Sequence, residues 1–295
     1  MRVSHNSLID QILHTLGQVR DRLVTHQQRL ASGRTVNRPS DDPGAAITSM
    51  RLQSALRDVA RYQANVEDAQ RWMEVTEGAL ASAVEVLQRA RELAVAAASD
   101  TIPQESREAL AAEVVQLVDH LVEIGNTSYA GRYIFAGHRT KTRPFVAGAD
   151  PLDPVTYQGD SGEIRREIGA GITLGINVVG DTVLGGAIAA VQQLAADMYN
   201  GDTEAISEVR LAELDQCIDQ LLGCRAELGA KGQRLEFVAL RLQEVAYTFQ
   251  RLLSDTLDID VAEEAVHLRA MESAYLVALS AAGRIIQPSL IHFLR

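Results

Sequence analysis

Apolar residues recur along this chain at two periods, and the change between them divides it. In the first stretch Ile9, Leu16, Leu23 and Leu30 take heptad position a, while Ile12, Val19 and His26 take position d. That spacing predicts an amphipathic helix with a coiled-coil seam. Ser32-Gly33-Arg34 supplies its stop. Asn37-Arg38-Pro39-Ser40-Asp41-Asp42-Pro43-Gly44 reads as a turn opening a second helix. Asp42 is placed to cap it, Pro43 suits the first helical position, and the acids sit at the positive end of the dipole. From about 43 to 98 the pattern is most regular. Leu52, Val59, Val66, Met73, Leu80, Leu87 and Ala94 occupy a; Ala55, Tyr62, Ala69, Thr76, Ala83, Ala90 and Ala97 occupy d. Large residues at a against mostly small ones at d allow close approach of partner helices, and a helix of that length spans roughly 80 Å.

Asp100-Thr101-Ile102-Pro103 breaks the run, and Leu110, Val114, Leu117, Leu121 and Ile124 mark a further helix. Between about Tyr129 and Val183 the period shortens. Gly and Pro become frequent, and Ile172, Leu174, Ile176 and Val178 alternate with small or polar residues, as in a half-buried strand. Gln158-Gly159-Asp160-Ser161-Gly162 has the composition of a hairpin turn. Helical spacing resumes near Gly185, then Leu214, Leu221, Leu228, Leu235, Leu242 and Phe249 recur every seven residues. Gly223, Gly229 and Gly232 weaken that helix by about 1 kcal/mol each, so a neighbour must support it. Asp258-Ile259-Asp260 interrupts the pattern, and Val261, Leu268, Met271, Tyr275, Ala278, Ala282 and Ile285 define a last helix ended by Pro288.

The predicted architecture is mainly α, an elongated coiled-coil-like helical rod with a small β-rich insert. Its expected divisions are an N-terminal assembly helix and turn (1–40), an N-terminal rod arm (41–130), the exposed insert (131–183), a C-terminal rod arm (184–257) and a C-terminal assembly helix (258–295). Both ends carry apolar stripes with no evident partner: Ile9, Ile12, Leu16, Val19, Leu23 and Leu30 in one, and Leu268, Met271, Tyr275, Ile285, Leu290, Phe293 and Leu294 in the other. Head-to-tail contacts between identical rods build helical tubes, and burial of such stripes contributes about 1.5–3 kcal/mol per side chain. The terminal segments are therefore expected to order on assembly.

Composition narrows the chemistry. Of 295 residues, 28 are basic and 39 acidic, a net charge of −11, which disfavours nucleic acid. No apolar run reaches the length of a membrane span. No basic start followed by an apolar block marks an ordinary secretory signal. Cys217 and Cys224, seven apart in a helical stretch, lie about 10 Å apart along the axis, too far for a bridge. The seven His residues never take the i, i+4 spacing of metal ligands. Gly169-Ala170-Gly171-Ile172-Thr173-Leu174-Gly175 has the wrong glycine spacing for a dinucleotide loop. Asp41-Asp42 and Asp258/Asp260 are read as caps at helix boundaries, and Asn126-Thr127-Ser128 matches the glycosylation triplet, a frequent accident. No catalytic, metal or cofactor site is expected, and the chain does not read as an enzyme.

Several segments resemble the bacterial flagellin family. These are Met1-Arg2-Val3-Ser4, Leu30-Ala31-Ser32-Gly33-Arg34, the turn Asn37 to Ala46, Gln63-Ala64-Asn65 and Thr76-Glu77-Gly78-Ala79-Leu80. The turn Pro39-Ser40-Asp41-Asp42-Pro43, the run Gly131-Arg132-Tyr133-Ile134-Phe135-Ala136-Gly137 with Thr142-Arg143-Pro144-Phe145, and the ending Pro288 to Arg295 resemble a junction member of that family more than a filament-forming one. The resemblance covers about two thirds of the chain. It departs from the family in having two cysteines, and residues 146–182 carry no family motif.

The resemblance implies a flagellin-like fold and a structural, extracellular role as an adapter in the bacterial flagellum. Implied partners are copies of itself, hook-associated protein 1, flagellin, the flagellar type III export apparatus and a cytosolic export chaperone, with no nucleic acid and no membrane. Export through that apparatus would explain the missing signal. The alternatives are flagellin itself, or a cytosolic coiled-coil chaperone or scaffold.

Overall fold

The computed structural model describes residues 2–99, 101–148, 150 and 152–286. Helices dominate it: α1 (Arg2–Ser32), α2 (Pro43–Ala97), α3 (Gln104–Gly125), α4 (Gly186–Asn200), the short α5 (Thr203–Ala205), α6 (Leu211–Leu257) and α7 (Val261–Ile286). Two π-helical turns, Asp181–Gly185 and Ile206–Arg210, lead into α4 and α6. Three antiparallel ribbons lie among the described residues: β1 (Ser128–Tyr129) with β2 (Arg132–Tyr133), β3 (Phe145–Val146) with β4 (Thr156–Tyr157), and β5 (Arg165–Gly169) with β6 (Ile172–Gly175). The chain is mainly α with a few small strand pairs. It divides into a terminal unit, residues up to 58 with those from 245 on, and a central unit of residues 59–244.

The central unit is built on the heptad seam of α2. Every a and d position from Val66 to Ala97 is buried, and the alanines at d (Ala69, Ala83, Ala90, Ala97) are fully so. They form one hydrophobic cluster with Val114, Val118 and Leu121 of α3, Ile188, Val191 and Leu194 of α4, and Leu214, Leu221, Leu228 and Leu235 of α6. Thr76, the one polar residue among these d positions, returns its hydroxyl to Trp72 O at 2.8 Å and so enters the seam without an unmet donor. Ion pairs border the cluster: Arg89 to Glu113 between α2 and α3, with Arg91 to Asp215 and Arg225 to Glu77 between α2 and α6. Gly223, Gly229 and Gly232 have open space where a Cβ would stand, so packing does not require glycine there.

A buried arginine closes the end of α2. Arg107 is 6% exposed. Its guanidinium donates to Ala97 O at 3.1 Å, to Ser99 O and Ile102 O at 3.4 Å each, and to Gln104 Oε1 at 2.9 Å. A helix C-terminus leaves carbonyls unpaired and carries partial negative charge, and one guanidinium answers both. Gln104 in turn donates to Met198 O and Tyr199 O at the end of α4, which stops at Gly201 in the left-handed region.

The ribbons are docked onto the same core. Asn126 gives its amide nitrogen to Phe145 O (2.9 Å) and accepts from Phe145 N (3.0 Å). Its side chain is thus committed to holding β3. Phe145 lies so close to Gly125 that a Cβ there would stand 2.5 Å from the ring. The Gln158 to Gly162 segment is not a hairpin turn, because β4 pairs with β3 and β5 with β6. Instead the Asp160 carboxylate accepts from His138 N (2.6 Å) and Gly162 N (2.9 Å), and these amides hold it below the usual carboxylate range. Of the alternating residues, Leu174 and Ile176 are buried, whereas Ile172 sits beside the Ala170-Gly171 turn and is 47% exposed.

Replacing Arg107 by Met should lower the stability of the central unit by about 2–3 kcal/mol, since it strips the carbonyls of Ala97, Ser99 and Ile102 of their donor. Chemical denaturation followed by the fluorescence of Trp72 measures this.

Candidate assembly surfaces

In the terminal unit, α1 ends at Gly33, whose φ of 71° belongs to the left-handed region. There the chain pairs with the link between α6 and α7. Thr35 N donates to Leu257 O at 2.6 Å, Ile259 N donates to Gly33 O at 3.2 Å, and Arg34 bridges Asp258. The C-terminus of α1 therefore meets the N-terminus of α7, and the two helices pack antiparallel. Asp260 caps α7 by accepting from Ala262 N (2.8 Å) and Glu263 N (3.2 Å).

The two terminal stripes face each other in a single chain. Ile9, Ile12, Leu16, Val19, Leu23 and Leu30 are half-buried on α1, as are Leu268, Met271 and Tyr275 on α7. Ala282 is buried, while Val261 at the start of α7 is 62% exposed. Ile285 falls in α7, but its side chain lies outside the described residues, as do Leu290, Phe293 and Leu294. In the turn before α2, Pro39 and Ser40 are exposed. Asp41 accepts from Asn37 N (3.2 Å) and Arg38 N (2.9 Å), and Asp42 accepts from Ala45 N (2.9 Å) as α2 opens at Pro43.

A polar contact crosses this apolar seam. His26 Nδ1 lies 2.6 Å from Glu264 Oε1, and Glu264 is only 8% exposed. The His26 ring also stacks on His267, with centroids 5.8 Å apart. Any slip of α1 along α7 would leave Glu264 without this partner, so the pair fixes register.

A second apolar set points outward. Leu13 and Val24 of α1, Ile47 and Met50 of α2, Tyr247 and Leu252 of α6, and Val266, Leu276, Val277 and Leu279 of α7 are 40–68% exposed. Reading for seam positions alone passes over these residues. Their signal in the sequence is apolar content on α7 that exceeds one stripe.

Among the described residues, no three His, Cys, Asp or Glu side chains gather as a metal site requires, and no helix is long and apolar enough to cross a membrane. Cys217 and Cys224 are free and half-buried on α6. Burial pushes both thiols up, with Glu213 adding to the effect on Cys217 and Glu227 to that on Cys224.

Long helices, a few small strand pairs and half-buried apolar stripes on the terminal helices make up the described residues. Residues 3–140 match the bacterial flagellin N-terminal helical region. Among its relatives is flagellar hook-associated protein 3 of Escherichia coli K12, 26% identical over 88% of this chain and 89% of that protein. The flagellin of Bacillus subtilis 168 is 25% identical over 90% of this chain and 89% of its own. Among solved structures, FlgL of Bacillus cereus matches with a TM-score of 0.61 and 26% identity, covering 69% of this chain and 99% of that one.

Both thiols should react with a disulfide reagent at pH 7 at least about tenfold more slowly than free cysteine, because reactivity follows the thiolate fraction and access. Stopped-flow absorbance on the native protein gives the rates.

Proposed function

We propose that this protein is the junction subunit between the flagellar hook and filament, an adapter that matches hook-associated protein 1 on one side to flagellin on the other. The observation that carries an assembly role is the terminal unit itself. Its α1–α7 seam is only half-buried, and apolar side chains such as Leu13, Val266, Leu276 and Val277 are exposed outside it. Copies stacked head to tail would cover what the seam of Ile9, Ile12, Leu16, Val19, Leu23 and Leu30 with Leu268, Met271, Tyr275 and Ile285 leaves exposed, together with the outer set, and Leu290, Phe293 and Leu294 would extend the contact. The similarity to hook-associated protein 3 supports the junction position. On this reading the chain acts outside the cell, is delivered by the flagellar type III export apparatus with a cytosolic chaperone, and catalyses no reaction. The filament-subunit reading is supported by a comparable likeness to a flagellin.

Deleting the gene in the source bacterium separates the two. Loss of the junction subunit leaves bare hooks and abundant unpolymerised flagellin in the medium. Loss of the filament subunit removes filaments with no major flagellin secreted. Normal filaments would exclude both roles.

In the monomer, amides of residues 2–58 and 245–286 should exchange much faster than those of α2 within 66–97, whose seam is buried. Hydrogen-exchange mass spectrometry measures the contrast, and assembly should slow the terminal segments.

A further inference from the structure

The central unit holds a groove of about 360 Å³ lined by Asp68, Trp72, Tyr129, Ala130, Arg132 and Arg166. Its floor is Trp72, 3% exposed, with Tyr129 set edge-on at 83°. Among the described residues the indole Nε1 has no hydrogen-bond partner, which leaves a buried donor unmet. One lip is the tight turn between β1 and β2. There Ala130 takes a φ of 49° and Gly131 one of 73°, and a non-glycine residue in that region is strained. The turn sets Tyr129 and Arg132 opposite each other.

The charges at this groove do not cancel. Arg166 pairs with Asp68 at 3.0 Å, and Arg71 beside the groove reaches Glu67 and the Tyr129 hydroxyl. Arg132 is exposed and makes no ion pair among the described residues. The groove thus shows a spare guanidinium on a chain of net charge −11 that has only two lysines. The complementary feature lies on α3. Asp119 and Glu123 are exposed one helical turn apart, with no ion pair among the described residues. Like charges at i, i+4 repel unless a cation stands near.

We infer that this groove receives the Asp119–Glu123 ridge of a second copy of the chain, with Arg132 as the receiving cation. Groove and ridge are different surfaces, so the contact is heterologous and passes from copy to copy, as a ring or helical array needs. A guanidinium fork matches a carboxylate in plane, and Tyr129 offers an apolar face to the carbons of the incoming side chain. The inference rests on the assembly reading above.

The test is complementation of the deletion strain with full-length variants, counting attached filaments by electron microscopy and blotting the exported protein. With Arg132→Glu, attached filaments should fall at least about tenfold while export continues as in wild type, and Arg132→Lys should restore most of them. Combining Arg132→Glu with Asp119→Arg and Glu123→Arg should recover filaments, because reversing both sides restores attraction between identical copies. Wild-type filament numbers with Arg132→Glu would overturn the contact while leaving the assembly role intact. A defect that the triple variant fails to relieve would overturn the second copy as occupant. Normal filaments in the deletion strain would remove the assembly reading, and this inference with it.

Discussion

The seam of α2 is the constraint on which the rest of the central unit depends. Alanine at four d positions buries almost no side-chain volume of its own, yet it lets α3, α4 and α6 share one apolar cluster with the large residues at a. Close packing of this kind tolerates neither a larger residue nor a void. The polar devices follow from it. Arg107 finishes the end of α2 from a buried position, Gln104 finishes the end of α4 at the surface, and Asn126 holds Phe145 against Gly125 at a distance that excludes any side chain.

The terminal unit follows a different logic. Its helices meet through residues that are only half-buried, and the His26–Glu264 contact together with the pairing of Gly33–Thr35 to Leu257–Ile259 sets their alignment. With so little interior, this unit has less buried apolar area to offset the ordering of its helices than the central unit has. The central unit is finished as a fold in one chain. The terminal unit presents apolar surface on both its seam and its outer side.

What periodicity encodes was legible in the sequence. The α2 seam, the Gly33 stop, the cap at Asp42 and the polar His26 within an apolar stripe all follow from local spacing and residue type. Interactions between distant segments were not. Nothing near Arg107 announces that it reaches back to Ala97, and Asn126 stands in a triplet whose familiar meaning is unrelated to its clamp on Phe145. The Gln158 to Gly162 segment had turn composition, but the partner of its carboxylate, His138 N, lies 22 residues away. The flagellin-like segments from Leu30 to Leu80 fall in α1, the turn after it and α2, within the residues that match the flagellin N-terminal helical region.

The π turns at Asp181–Gly185 and Ile206–Arg210 hold one residue more per turn than the α-helices they join. Between α5 and α6 the second therefore slips the phase of the following helix by about 100°. Leu184 and Ile206, one in each turn, are both fully buried. Deleting one residue within Ile206–Arg210 would allow an unbroken α-helix but rotate everything beyond it. Leu214, Leu221, Leu228 and Leu235 would then leave the core together. The wide turn is thus a one-residue spacer that keeps two helical phases compatible, and chain length in this stretch is set as strictly as residue identity.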